Sequence, residues 1–319
     1  MGLKVSSKSK SQEMQKIAVL IPCFNEECTA GKVVGDFKAV LADAGIFVFD
    51  NNSTDKTTEV AREAGATVVR SYSQGKGNVV RHMFDKVEAD IYIMVDGDDT
   101  YPADEAPVLI ETLNSSGAAM VVGSRMKEFD KHSFRHFHLF GNRLVAKLIS
   151  VLFKVEVTDV LSGYRAFTRE FVKTVPLVSK GFEVETEMTL QAAAKNFSIR
   201  EVAIKYSSRP AASKSKLNTY SDGFLIIKSI MMIFKDYKPF IFFSVCSVIL
   251  VIASLFFGYA PIHDFYTTGK VIHMPRAILA ASVGILATLS FVIGLILDTI
   301  SKYHDENFML WRRYLKKRG

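Results

Sequence analysis

Residues 91–101, Ile91-Tyr92-Ile93-Met94-Val95-Asp96-Gly97-Asp98-Asp99-Thr100-Tyr101, decide how the rest of the chain is read. Ile91 to Val95 is an apolar run of the length of a buried strand, and it stops abruptly at three carboxylates around one glycine. In an open α/β sheet the carboxyl edge of the strands is where ligands bind, because strand ends and helix N-termini leave a crevice there. Carboxylates this close repel one another unless a cation or water offsets their charge. A hard, oxygen-seeking ion, Mg²⁺ or Mn²⁺, is therefore the expected partner. The other reading is a plain strand-to-turn junction, since Asp and Gly are ordinary turn residues.

Outward from this stretch, short apolar runs recur at Ile17–Ile21, Ile46–Phe49, Thr67–Val69 and Ala118–Val122. Between them lie amphipathic stretches of helix length around Glu27–Asp43, Lys56–Ala64, Asn78–Val87 and Asp104–Asn114. Alternation of strand and helix implies an α/β fold with a mostly parallel, doubly wound sheet. The strands of this half end in polar residues: Pro22, Cys23, Phe24, Asn25, Glu26 and Glu27 after the first, and Asp50 to Asp55 after the second. Such side chains can hydrogen-bond a base and a ribose. After the third strand comes Gln74-Gly75-Lys76-Gly77-Asn78, where glycines let a backbone approach a ligand and Lys76 can meet a phosphate. The spacing is not that of a Walker loop. Singly, Asp50–Asp55 also reads as a helix cap and the glycine pair as a turn; together with the acidic cluster they outline a nucleotide diphosphate held by metal.

The chain has 319 residues, enough for one large domain with appendages or for two domains. Apolar residues make up 49% and the net charge is +7, a charge that suits nucleic acid or an anionic membrane surface. Two long apolar runs near the C-terminus favour the membrane and no nucleic acid. Cys23, Cys28 and Cys246 have no CxxC spacing and cannot all pair, which fits a reducing compartment. The N-terminus has no apolar core and so is not a secretory signal; its Met1, Gly2 and Ser6 match a myristoylation pattern that is short enough to arise by chance.

IPCFNEE, FDNNSTDKT, QGKGN, VDGDDTYP, VGSR and LSGYRAF, in this order, resemble the family 2 glycosyltransferases of GT-A fold. The likeness is to their polyprenyl-phosphate glycosyltransferase branch, which includes dolichyl-phosphate mannose synthase, and runs from about Ile17 to Asp222. It implies that Pro22, Phe24, Asn25, Glu26, Asp50, Asn51 and Ser53 frame the nucleoside. It implies that Asp96 and Asp98, with Gly97 between them, form the DxD pair that holds the diphosphate through a divalent ion, with Lys76 beside it. Asn51 stands where many relatives have a second Asp, and can still accept a hydrogen bond from an imide NH. Thr100 stands where some relatives carry Gln.

Past Val122 the sequence turns to the acceptor. From Phe134 to Lys154, Phe137, Phe140, Leu144, Leu148, Val151 and Leu152 recur at helical spacing, with Arg143, Lys147 and Lys154 on another side. The pattern suits a helix lying on a membrane, or equally a core-facing helix with a solvated basic face. Asp159 to Arg165 is similar to the family's D-x-x-S-G-[FY]-R signature, and Glu183, Glu185 and Glu187 follow at a helix start that could position the sugar. A phosphate monoester acceptor is already anionic at neutral pH, so the site needs cations more than a base. The candidates are Arg125, Arg135, Arg209, Lys214 and Lys216, the last three in a Ser- and Lys-rich loop that also reads as a solvated linker. Asp98, Arg125, Asp159 and Lys76 are the expected catalytic set.

Pro239–Ala260 and Ala277–Leu297 are uncharged and long enough to cross a bilayer. Basic residues crowd the tail, while the loop between the runs holds only Lys270 and Arg276, so positive-inside bias puts the catalytic domain and the tail in the cytoplasm. The expected organisation is a basic tail (1–15), a catalytic domain (16–218), a juxtamembrane helix (219–238), two spans (239–260, 277–297) and a basic cytoplasmic tail (298–319). The whole implies an integral protein of the inner membrane that moves one hexose or N-acetylhexosamine from a UDP-sugar to undecaprenyl phosphate, with a homo-oligomer allowed. Rival readings are a mannose synthase using GDP-mannose, a processive polysaccharide synthase, whose Gln-x-x-Arg-Trp motif is missing, and a non-catalytic sugar-nucleotide-binding scaffold.

Overall fold

The computed structural model describes residues 15–125, 136–207 and 231–316. The chain divides into two units, Met1–Leu225 and Ile226–Gly319.

In the first unit the apolar runs become strands: β1 (Ile17–Cys23), β2 (Gly45–Asp50), β3 (Thr67–Arg70), β4 (Ile91–Met94) and β5 (Met120–Ser124). Two more strands, β6 (Arg165–Thr168) and β7 (Ile199–Ala203), complete a seven-stranded sheet in the order β3-β2-β1-β4-β6-β5-β7. Helices α1 (Ala30–Val40), α2 (Thr57–Glu63), α3 (Lys76–Lys86) and α4 (Ala106–Ser116) lie between the first five strands. Pairing is parallel throughout β3-β2-β1-β4 and between β5 and β7, whereas β6 runs antiparallel to both its neighbours. The sheet is therefore mostly parallel but mixed, a GT-A-like arrangement. The long β5–β6 connection brings the chain back in the opposite direction, and that reversal is what the βα alternation of the first half could not announce.

Burial follows from the pleat. Ala18 to Ile21 and Ile91 to Val95 are fully or almost fully shielded, as expected of central strands covered on both faces. The register sets the site. Leu20 pairs with Met94 and Met94 with Arg165, so the residues two places beyond, Pro22, Asp96 and Gly163, meet at one edge.

Helix α5 (His136–Phe153) forms nearly where its periodicity put it. It buries Val145, Ala146 and Ile149 and leaves Leu144 and Val151 44% and 68% exposed beside exposed Arg143 and Lys147. The apolar stripe read through Leu144 and Val151 is thus not the core-facing one. Helices α6 (Arg169–Thr174) and α7 (Val184–Ala194) complete the unit, and α5 packs against α7.

The second unit holds a π-helical turn at Ile233–Tyr237 and two long helices, α8 (Pro239–Thr268) and α9 (Met274–Lys316). Both are long and apolar enough to cross a membrane. They pack on each other through small residues: Ser247 Oγ donates to the Ala287 carbonyl at 2.8 Å, Ser254 Oγ to the Ala280 carbonyl at 2.8 Å, and Ser290 Oγ to the Phe243 carbonyl at 3.1 Å. Each helix outruns the apolar span read from sequence. α8 passes Ala260 and stops only at Gly269, whose φ of +69° favours glycine. α9 continues through the segment taken as a tail, since 298–316 contains no glycine or proline to end it. Of the expected juxtamembrane helix, residues 219–230 lie outside the described residues.

Candidate active site

The edge of the sheet beyond β1, β2 and β4 carries the polar loops, and three of them are locked together by their own side chains. Asn25, with φ +53°, donates its backbone N–H to Ser53 Oγ at 2.9 Å, and its Oδ1 accepts the Thr54 N–H at 2.8 Å. Asp50, 3% exposed, accepts the Ser53 N–H at 3.1 Å. Glu26, 8% exposed, is held by a bond from its N–H to Thr57 Oγ1 at 2.8 Å. Thr29 Oγ1 in turn donates to the Gly97 carbonyl at 2.7 Å, which ties the β1 loop to the acidic turn. Pro22 and Phe24 are half-buried beside this frame.

Asn51, read as a base contact, is bonded within this frame. Its amide donates to the Ser71 and Ser73 carbonyls at 3.0 and 2.8 Å, and its Oδ1 accepts the Gly75 N–H at 2.8 Å. A neutral amide can do both, whereas a carboxylate could not donate. Asn51 is therefore the anchor of the glycine loop. The glycines also differ from expectation. A Cβ on Gly75 (φ +117°) would strike the Lys180 carbonyl, and one on Gly77 the Ser179 carbonyl, so the backbone they admit is that of residues 179–181 of this chain. The Gly77 N–H donates to the carbonyls of Lys180 and Gly181, both at 3.1 Å. Glu187 fastens the same segment by accepting the Val178 and Ser179 N–H groups at 2.9 Å, so its carboxylate supports a loop.

This packing carries Lys76, the first residue of α3, into the acidic turn. Its Nζ lies 2.5 Å from Asp96 Oδ1 and 2.5 Å from Glu185 Oε1, and the side chain is 12% exposed. Burial disfavours the ammonium, but the two carboxylates outweigh it and raise Lys76 above its ordinary value, so it stays charged. The three aspartates of the turn part company. Asp96 meets Lys76; Asp98, 5% exposed, accepts the Thr100 hydroxyl at 2.6 Å; Asp99, with φ +60°, turns outward to Lys32 at 2.7 Å. Thr100 thus orients Asp98.

Asp96 is also shaped from the β6 side. A Cβ on Gly163 would fall 2.5 Å from Asp96 Oδ2. The Gly163 N–H donates to Tyr101 Oη at 3.0 Å, and Ser162 Oγ donates to the Gly123 carbonyl at 2.6 Å. Arg165 is wholly buried and donates to the Ser162 and Val160 carbonyls and to Thr189 Oγ1 at 2.7 to 2.9 Å; burial lowers it to about 10, which leaves it charged at neutral pH. The Ser162–Arg165 segment therefore acts as a brace that delivers a side-chain-free position to Asp96.

Arg125 and Asp159 are brought together, and onto each other. Arg125 donates Nε and Nη2 to the two Asp159 oxygens at 2.8 Å and its backbone N–H at 3.0 Å, Asn142 of α5 adds a fourth donor at 3.0 Å, and Asp159 is fully buried. Burial opposes the Asp159 charge, but the guanidinium outweighs it and keeps the carboxyl below its ordinary value. Arg125 stacks over Tyr206 at 5.4 Å, and Tyr206 lies 5.3 Å from Tyr101, so an aromatic link joins this pair to the acidic turn. Arg135, Arg209, Lys214 and Lys216 lie outside the described residues.

The donor set suits a hard divalent ion. Two carboxylates two residues apart offer only oxygen, and one of them already takes a cation, the Lys76 ammonium. Among the described residues no cluster of three or more His, Cys, Asp or Glu side chains is formed, so Asp96 and Asp98 would share the ion with its substrate and water. Glu185, read in sequence as a group that could position the sugar, is instead paired with Lys76, in the first turn of a helix buried from Val184 through Ala193.

Comparison with known proteins bears on the family and the fold. The family model described as glycosyl transferase family 2 matches residues 18–175. Protein RfbJ of Shigella flexneri is 54% identical over 122 residues, covering 38% of this chain and 95% of that protein. Glycosyltransferase AglJ of Haloferax volcanii is 33% identical over 229 residues, covering 72% and 75%. A dolichyl-phosphate hexose transferase of the same organism is 29% identical over 217 residues, covering 68% and 93%. In fold, the chain is similar to the crystal structure of Mycobacterium tuberculosis glucosyl-3-phosphoglycerate synthase in complex with Mn²⁺ and UDP-glucose, with a TM-score of 0.56 and 21% identity over 70% of this chain and 79% of that one.

Proposed function

The chain belongs to glycosyl transferase family 2 and is a glycosyltransferase, and on that footing we propose that it transfers a single hexose from a nucleotide diphosphate sugar, UDP-linked, to a polyprenyl phosphate at the cytoplasmic face of the inner membrane. The observation that carries the reading is the end of β4, where Asp96 pairs with the largely shielded Lys76 and the buried Asp98 lies two residues on. Asp96 and Asp98 would hold Mg²⁺ or Mn²⁺. A divalent ion there supplies charge neutralisation of the leaving diphosphate.

The remaining chemistry belongs to the protein. The bond formed is between an acceptor phosphate oxygen and the anomeric carbon; the bond broken joins that carbon to the diphosphate, which leaves with the electron pair. Attack from the opposite face inverts the anomeric centre. The acceptor oxygen is anionic at neutral pH, so no general base is required. That fits the commitments of three buried carboxylates: Glu185 to Lys76, Glu187 to a loop, Asp159 to Arg125. Lys76 contributes a fixed positive charge beside the leaving group, in a water-poor pocket where it is worth most. Arg125, held by Asp159, is the cation we assign to the acceptor phosphate.

A lipid acceptor is supported by the two long apolar helices and by the exposed Leu144 and Val151 flanked by cations on α5. The named activity of the dolichyl-phosphate hexose transferase relative points the same way. The test is incubation of detergent-solubilised protein with Mn²⁺, radiolabelled UDP-hexoses and undecaprenyl phosphate. Label should appear in the lipid extract with one donor; no extractable label with any common UDP- or GDP-sugar would reject the reading.

A further inference from the structure

We infer that Lys76 is a tethered competitor for the cation site, its ammonium occupying Asp96 until a hard divalent cation displaces it onto Glu185. The inference rests on the proposed cation site at Asp96 and Asp98.

One ammonium sits between two carboxylates, so the group of three carries a net charge of −1. The two carboxylates are not equivalent. Asp96 is 26% exposed at its side chain and lies at the open end of β4, whereas the Glu185 side chain is 4% exposed in the first turn of α7. A carboxylate as buried as Glu185 is costly without a counter-charge; the Lys76 ammonium meets it directly, and the buried Arg165 guanidinium adds to the positive field around it. Asp96 can exchange its partner for a solvated cation; Glu185 cannot. A dication on Asp96 also repels the neighbouring ammonium, so the shift that costs least keeps the Lys76–Glu185 contact and gives up the Lys76–Asp96 contact. The N–H groups released from Asp96 are then free to meet phosphate oxygens. The device keeps the empty site charge-compensated and hands Lys76 to the substrate only once the cation has arrived.

Competition and a simple field effect make opposite demands on charge-matched variants. Mn²⁺ binding is read by the electron paramagnetic resonance signal of free Mn²⁺, on the full chain in detergent, without nucleotide or turnover. Glu185→Gln leaves Lys76 wholly on Asp96 and should weaken Mn²⁺ binding. The double variant Lys76→Met with Glu185→Gln keeps the net charge at −1 and frees Asp96, so it should bind Mn²⁺ roughly tenfold more tightly than wild type, the equivalent of one charge-assisted hydrogen bond. Equal or weaker binding by the double variant, or tighter binding by Glu185→Gln, overturns the inference while leaving the cation site standing. Asp98→Ala separates the two claims: it should lose Mn²⁺ binding, and retention would reject the cation site itself.

Discussion

Replacing Gly163 by alanine is the sharpest test of how the Ser162–Arg165 brace shapes the site. The new Cβ would lie 2.5 Å from Asp96 Oδ2, 2.8 Å from its Cγ and 3.0 Å from Oδ1, against the 3.4 Å at which ordinary contact begins. The alanine cannot retreat, because the Gly163 N–H is tied to Tyr101 Oη and the preceding Ser162 to Gly123. The carboxylate must therefore withdraw by about 0.9 Å, the gap between 3.4 and 2.5 Å, and a displacement near 1 Å in a catalytic group costs on the order of 10²-fold in rate. Overpacking of this kind costs about 1–3 kcal/mol of stability, so the protein stays folded. Initial rates of sugar transfer should fall about 10²-fold with a raised Mn²⁺ requirement, while circular dichroism is unchanged. Gly35→Ala is the matched control: nothing lies within 4 Å of its Cβ in the middle of α1, so it should gain about 0.5–1 kcal/mol and leave the rate alone. A Gly163→Ala enzyme with wild-type rate and metal dependence would refute the argument.

Other consequences follow from the same contacts. Asn51→Ala removes three hydrogen bonds from a residue 4% exposed, and should destabilise by about 2–3 kcal/mol in urea unfolding and raise KM for the nucleotide sugar more than it lowers kcat. Asp159→Asn breaks a buried ion pair and should cost about 3–5 kcal/mol at pH 7. Because the Asp159 carboxyl is held below its ordinary value near 3.8, its contribution is complete above that value and is lost as pH falls through the folded-state value. The wild-type unfolding midpoint should consequently drop more steeply than the variant's once pH passes below about 4. Leu144→Ser with Val151→Ser should leave stability within about 0.5 kcal/mol, since both side chains are exposed, yet weaken retention of the protein on anionic vesicles in flotation assays.

Much of the fold was legible because the first half of the chain repeats one local rule. Each buried strand is an uninterrupted apolar run and each intervening helix an amphipathic one, so β1 to β5 and α1 to α4 fall within a few residues of their expected places. β6 and β7 were missed. Arg165-Ala-Phe-Thr168 begins with a charge, and only the completed structure shows Arg165 fully buried among carbonyls and Thr189; in Ile199–Ala203, at the edge of the sheet, the adjacent charges Arg200 and Glu201 break the alternation of a strand. The site was legible as a set of motifs but not as a division of labour. Asp96 and Lys76 meet, while Asp98 turns to Thr100. Asn51, Gly75, Gly77 and Glu187 look the same in sequence whether they meet a ligand or another loop, and for the two glycines the contact with residues 179–181 that decides the matter spans about a hundred positions of chain. Glu185 shows the converse. Its role depends on which lysine the fold brings to it, and no spacing rule encodes that.

The central claim is that the aspartates ending β4 grip a divalent ion and through it a nucleoside diphosphate. The most direct measurement is an anomalous difference map from crystals grown with Mn²⁺ and UDP. The account predicts one strong peak within about 2.0–2.3 Å of carboxylate oxygens of Asp96 and Asp98, with diphosphate density continuing from it towards Lys76. Density for UDP with no anomalous peak at those two side chains, or a peak bound elsewhere, would contradict it.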